Sequence, residues 1–356
     1  LLNFTDHDSL DLGGRRVAVT ARIGLAAAVP NKPTCSVRRV IRNGQFEAIA
    51  GPAWNPAVVT SQASYNPAQP VTLTGVVNVA AVLVGSLVTG TGVGREVYVN
   101  AVSVGAGTVT LSQPLYDAAG SQVFTFTRFR YVLDFSGFTQ LDKLNLSDLE
   151  LQCNGVGNAI MLPPAGNNFH VRDCYVTRPK DRGITSIGRG CQDLHVDRCQ
   201  FLSNEQSLRA QDRLSIALNV NANDAKLRDN RIVRFRHFAV MAGSSHLVVG
   251  NHWFQGDSET LGVRLARLVM TETNVNTTIT GNYIDNNFIE WTNEYEADPD
   301  FGIQHSFGGL TITGNVFMAT DVAPWFRWIV IKPYGTGHFV DGLTISNNVF
   351  KSINGS

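Results

Sequence analysis

The sequence predicts an all-β solenoid, in which short strands wind into stacked coils, with a small β module inserted near the N-terminus. Three observations lead there: an eight-residue phrase that recurs along the C-terminal two-thirds, strand-like segments between its copies, and a stretch at 56–135 that lacks the phrase.

The phrase is clearest near the C-terminal end, where LTITGNVF (310–317) is followed 33 residues later by LTISNNVF (343–350). Written as apolar-x-apolar-x-x-Asn-x-apolar, it recurs in TTITGNYI (277–284), HLVVGNHW (246–253) and AKLRDNRI (225–232). Upstream, Cys replaces the Asn in LHVDRCQF (194–201) and FHVRDCYV (169–176), and Leu replaces it in LNLSDLEL (144–151). The key positions are therefore Leu149, Cys174, Cys199, Asn230, Asn251, Asn282, Asn315 and Asn348, separated by 25, 25, 31, 21, 31, 33 and 33 residues. Such spacing requires constant units joined by loops of different length. A unit of this size cannot bury its apolar face alone, so it stacks on copies of itself.

Leucine-rich repeats carry a related core but place a Leu three residues before its first apolar position and keep a steadier period. Here those places hold Gly166, Cys191, Ala222 and Gly243. The intervening segments ITSIG, LSIALNV, FAVMAG, RLARLVM, FIEW and RWIVIK are short, rich in β-branched or apolar residues, and bounded by turn formers, so they read as strands. Each repeat then holds a strand, a sharp turn at Asn or Cys, a second short strand, a variable loop and a third strand.

This arrangement resembles the right-handed parallel β-helix of the pectate lyase-like superfamily, whose coils carry an internal asparagine ladder at the corresponding turn. The resemblance covers roughly residues 140–356 and an earlier coil at VIRNGQF (40–46). Asn tolerates a left-handed turn, and its amide can bond its equivalents on adjacent coils. Cys174 and Cys199, one coil apart, are small and apolar enough to continue the stack. The chain divides into an N-terminal cap and first coil (1–55), an inserted all-β module (56–135) and the main β-helix (136–356). The module's Val-Gly and Val-Thr-Leu-Ser phrasing looks like small β modules of phage tail and other virion proteins; an ordinary hairpin insertion is the plainer reading.

Composition narrows the partners. The 356 residues are 44% hydrophobic and 16% charged with zero formal net charge, which carries no nucleic-acid footprint. No apolar run approaches the ~18 residues that insert across a membrane. Five Cys, an odd number, argue against a disulfide framework. The chain opens LLNFTDHDSL, without Met or a basic region, and stops directly after a repeat. A solenoid needs a polar cap there, so further protein, or another subunit, is expected to cover that end.

In this superfamily the third strand and the loop before it form the polysaccharide-binding face. The resemblance therefore directs attention to Glu205, Asp212, Asp257, Glu259 and Glu290 as candidate catalytic acids, with Asp321 behind them. Paired acids perform general acid and base work. Arg213, Arg236, Arg264, Arg267, Arg327 and Lys332 are candidates for holding acidic sugars, and Trp291 and Trp328 for packing on sugar faces. The plainer alternative is that these charges neutralise one another in a solvated network. No cofactor is expected. Glu294, Glu296, Asp298 and Asp300 could hold Ca²⁺, but their spacing departs from D-x-[DN]-x-[DN]-G, which favours a solvated turn. His170 and His195 recur one coil apart and read as a stacked surface pair.

The favoured function is a phage-like tailspike or fibre that recognises a bacterial surface polysaccharide, with depolymerisation of that polysaccharide left open. Such a spike is expected as a homotrimer on the virion tail, joined to other virion proteins through further terminal segments. A secreted polysaccharide lyase or hydrolase, and a non-catalytic structural fibre, remain open alternatives.

Overall fold

In a computed structural model, described over residues 8–28, 33–296 and 306–353, the chain is a parallel β-helix with a right-handed wind, the hand that parallel crossovers take. Three parallel sheets form its walls. On the early coils the first two sheets share one long strand, as in Arg39–Ala48 and Leu144–Gln152. From residue 170 onward that strand divides in two, His170–Arg172 and Tyr175–Thr177 being the first pair. The third wall is a nine-stranded sheet running from Ile23–Gly24 to Ile329–Lys332. A further long strand, Ser9–Val19, pairs below Arg39–Ala48 and adds a coil that the phrase does not reveal.

Register aligns like with like. One inward row stacks Ile41, Leu146, Val171, Val196, Leu227, Val248, Ile279, Ile312 and Ile345. A second stacks Phe46, Leu151, Val176, Phe201, Ile232, Trp253, Ile284, Phe317 and Phe350. Burying each such side chain contributes about 1.5–3 kcal/mol, so the continuous apolar column is the main source of stability. On the last described coil, Ile345 and Phe350 are exposed rather than covered.

The eight key positions form the expected stack between the first two sheets. The Oδ1 of each Asn from 251 to 348 accepts from the backbone N–H and the side-chain Nδ2 of the Asn on the preceding coil, at 2.9–3.0 Å. The ladder continues to Cys199, whose N–H donates to Asn230 Oδ1 at 2.9 Å. The left-handed residue, however, is the one before each key position. Asp148, Asp173, Arg198, Asp229, Gly250, Gly281, Gly314 and Asn347 have φ between 52° and 68°, as does Asn43 before Gly44, the residue paired with Leu149 on the coil below. Asn is therefore selected at the key position for its paired donor and acceptor rather than for turn tolerance.

The inserted segment forms a six-stranded antiparallel sheet between Ala57 and Arg128 with its own apolar core, including Leu73, Val88, Val109 and Phe124. It packs on the outside of the third wall. Tyr98 joins Met161 and Ile187 in one buried cluster, while Ala242 and Tyr295 extend the module's own core. Charges reinforce the contact: Arg95 pairs with both Glu290 and Glu294, and Arg182 donates to Glu96 at 2.7 and 3.0 Å. Burial of these guanidinium groups would lower their pKa, but the facing carboxylates outweigh it and raise both.

Candidate functional site

The module moves the available working surface. With Glu290 engaged by Arg95, the outer face of the third wall is not an open groove at that point. What stays open is the corner between the second and third walls, where loops of unequal length follow successive second-wall strands.

Three consecutive coils build a cleft there. The strand His252–Phe254 runs into a long loop reaching Leu265, and Val316–Ala319 into another reaching Trp328. Between them, Tyr283–Asp285 is followed only by Asn286 and Asn287 before the third-wall strand begins at Phe288. The short turn leaves a gap between the long loops. Its volume is about 280 Å³, with Asp285 and Asn286 on one coil flanked by Asp257 and Glu259 below and Met318, Thr320 and Asp321 above. The two long loops are joined across the gap's mouth, since Gly262 N–H donates to Asp321 O at 2.7 Å and Ala323 N–H to Gly262 O at 3.1 Å. A Cβ at Gly262 would press on the Arg264 guanidinium, the group that holds Asp257.

The acids of this cleft differ in their partners. Asp257 is held by Arg264 at 2.6 Å and accepts from the backbone N–H groups of Ala210 (2.7 Å) and Glu259 (3.2 Å). Burial would raise its pKa, but these donors outweigh it and hold the carboxyl below the usual range. Asp285 behaves oppositely. It lies in an outward row between Phe254 and Met318 and is 8% exposed, and burial pushes its pKa up despite a 2.8 Å hydrogen bond from Asn286 Nδ2. Glu259 is exposed, and its carboxylate has no bonded partner among the described residues. The cleft thus combines a carboxyl whose pKa burial raises, Asp285, with one whose donors hold it down, Asp257, and an exposed carboxylate, Glu259; two carboxyls pushed apart in this way are what acid–base chemistry needs.

Several residues expected at a binding surface have structural roles instead. Arg267 is fully buried inside the coil, where it donates to the carbonyls of Ile232, Phe235 and Phe254; burial, with Arg213 nearby, drives its pKa well down. Trp291 is likewise buried, donating its indole N–H to Glu272 O at 2.8 Å. Neither reaches a surface ligand. Arg213 is enclosed beneath its own loop, donating to the carbonyls of Leu208, Gln255 and Gly256, and burial lowers its pKa to about 10. Arg236 donates to Arg213 O, and Glu205 clamps its loop by accepting from the N–H groups of Leu214 and Ser215.

The remaining candidates are dispersed. Asp212 pairs with Arg209 at 2.7 Å on an exposed loop tip. Arg327 is exposed and donates to the neighbouring Phe326 O, whereas Trp328 packs edge-on against Phe326 and Phe317 at the end of the core. Lys332 lies 5.3 Å from the Tyr334 ring, and Tyr334 in turn meets the module's Tyr116 at 4.6 Å. The calcium alternative loses two of its oxygen donors to other partners, because Glu294 is bound by Arg95 and Glu296 by Thr273. Asp298 and Asp300 lie outside the described residues. His170 and His195 stack as expected, with ring centroids 4.3 Å apart and planes 6° from parallel.

Two residues, one in the cleft and one on the loop above it, were not singled out from the sequence. Asp285 sits in the short DNN turn, where the available signal was the turn's brevity between two long loops. Trp325, on the upper loop beyond Asp321, exposes its ring to solvent (59%).

Neither a family model nor a curated protein sequence matches the chain. Among solved structures it is similar to a tailspike mutant of Escherichia coli bacteriophage HK620 in complex with hexasaccharide, at 11% identity over 94% of this chain and 57% of that one, with a TM-score of 0.36. A second HK620 tailspike mutant, in complex with pentasaccharide, gives 12% identity, 94% and 58% coverage and a TM-score of 0.34. The Gp54 tailspike of Acinetobacter baumannii bacteriophage AP22, in complex with capsular saccharide, gives 12% identity, 96% and 71% coverage and a TM-score of 0.24. The chain thus spans 57–58% of the length of the two HK620 tailspike chains. No helix among the described residues is long and apolar enough to cross a membrane.

Proposed function

We propose that the chain is a tailspike-like protein that binds a bacterial surface polysaccharide and cleaves it by glycoside hydrolysis at the corner cleft. The observation that carries this reading is the meeting, in one cleft, of Asp285, whose pKa is raised by burial, with Asp257, whose pKa its donors lower, and the exposed Glu259. Asp285 would act as general acid, delivering a proton to the leaving glycosidic oxygen, while Glu259 acts from the adjacent coil as base or nucleophile. Trp325, exposed on the same loop as Asp321, offers an aromatic surface for the apolar face of a sugar ring. The chain works as a homotrimer in the virion tail, attached to other virion proteins. The exposed run Tyr283, Val316 and Val349 on the second wall offers surface for such subunit contacts.

The test is incubation with a panel of bacterial capsules, lipopolysaccharides and uronate polymers, read for new reducing ends and for unsaturated uronates. Hydrolysis predicts reducing ends without unsaturation. Asp285→Asn and Glu259→Gln should each lower the rate at least 100-fold while binding persists. Full activity in both variants would remove the cleft from the mechanism. Unsaturated products would replace hydrolysis with elimination, and binding without products would leave recognition alone.

A further inference from the structure

A second cleft, of about 300 Å³, opens on the early coils along the outer edge of the first wall. It is lined by Arg38, Lys143, Leu144, Asn145, Asn168 and His170, so it holds two cations and no carboxylate, the reverse of the acidic corner cleft. Neither the Arg38 guanidinium nor the Lys143 ammonium has a bonded partner among the described residues. The neighbouring Asp142 is already committed to Gln140 Nε2 and the Asn167 N–H, both at 2.9 Å.

Asn145 is the unusual member. It lies in the outward row between Val40 and His170, is 7% exposed, and has a buried Oδ1 with no hydrogen-bond partner. A buried amide left unpaired destabilises a fold, so such a group calls for a reason. An amide presents a donor and an acceptor together, whichever way it is turned. A bare anion could neutralise Arg38 and Lys143 but would leave the acceptor unmet. A ligand satisfying the whole cleft must carry an anionic group and, beside it, a hydroxyl that donates to Asn145 Oδ1 once the amide, now out of reach of solvent, turns toward the cleft.

We propose that this cleft is a separate binding site for a carboxylate-bearing sugar unit, its carboxylate held by Arg38 and Lys143 and a ring hydroxyl by Asn145. The His170 ring, fixed against His195, forms part of the wall.

The experiment is calorimetric titration of the full chain with short oligomers of galacturonate and of glucuronate, alongside a neutral glucose oligomer and inorganic phosphate. The proposal predicts binding of at least one uronate oligomer, weakened several-fold by raising salt from 0.1 to 0.5 M, and no binding of the neutral oligomer. Lys143→Met and Asn145→Leu should each weaken binding at least tenfold, a loss that binding at the corner cleft would not show, because neither residue lines it. Asn145→Leu should also raise the melting temperature by a few degrees, because it removes an unpaired buried amide that a merely structural asparagine would not present. Absence of uronate binding, equal binding of neutral and acidic oligomers, binding of phosphate alone, or a lowered melting temperature in Asn145→Leu would each overturn the proposal.

Discussion

The asparagine ladder shows how one side chain can govern a turn it does not itself bend. Asn282 accepts from Asn251 N–H and Nδ2, while its own Nδ2 donates to Asn315 Oδ1 and to the carbonyls of Val248 and Thr280. Removing it leaves several buried groups without partners, each costing about 1–3 kcal/mol. Asn282→Ala is therefore expected to destabilise the protein by about 3 kcal/mol in denaturant unfolding, and Asn348→Ala, at the less buried end, by about 1 kcal/mol. Glu272 gives a pH-dependent counterpart. Burial, with Glu296 nearby, lifts its pKa from the ordinary 4.5 to about 7. Below pH 4.5 both folded and unfolded chains hold this proton. Between about 4.5 and 7 the unfolded chain releases it first, so stability falls as pH rises through that window, and the loss persists above it. Glu272→Gln should accordingly raise the melting temperature at pH 8 and change it little at pH 4; equal shifts at both would refute this origin.

Among the elements, loop length decides what becomes a site. The repeated phrase made the stacking legible because register forces one residue type to recur at each level, and the Asn-to-Asn hydrogen bonds follow directly from that recurrence. The cleft was less legible. Asp257 and Glu259 were visible as a loop pair, but the importance of Asp285 depends on the contrast between its two-residue turn and the loops above and below, a relation between coils rather than a motif within one. Arg267 and Trp291 misled because both turn inward, Arg267 at a register shift between Ala266 and Leu268 and Trp291 in regular alternation with Ile289, and main-chain carbonyls satisfy them there. Glu290 misled because its partner, Arg95, comes from the module nearly two hundred residues earlier in the chain. Arg95→Met should release the Glu290 and Glu294 carboxylates and loosen the module. Hydrogen exchange should quicken between residues 57 and 128 while the asparagine-ladder amides stay protected; uniform protection across the chain would show that Arg95 does not hold the module in place.

At the scale of the molecule, the fold separates support from chemistry. The apolar rows and the ladder hold the coils in register, the module occupies the outside of the third wall, and the corner loops carry the acids. This division predicts that Asp285→Asn, lying outside the apolar column, will unfold at a temperature equal to or slightly above the parent's at neutral pH, since it relieves a carboxyl that burial disfavours in its charged form. The same reasoning fixes the direction of the pH profile: activity requiring protonated Asp285 should fall as pH rises through its raised pKa. Everything in the functional account depends on that proton. The most direct measurement is a carbon-13 NMR titration of the Asp285 carboxyl in the full chain, assigned by comparison with Asp285→Asn. A midpoint above the ordinary aspartate value of about 3.9 is the expected result; a midpoint at or below it would contradict the assignment of Asp285 as the acid of the cleft.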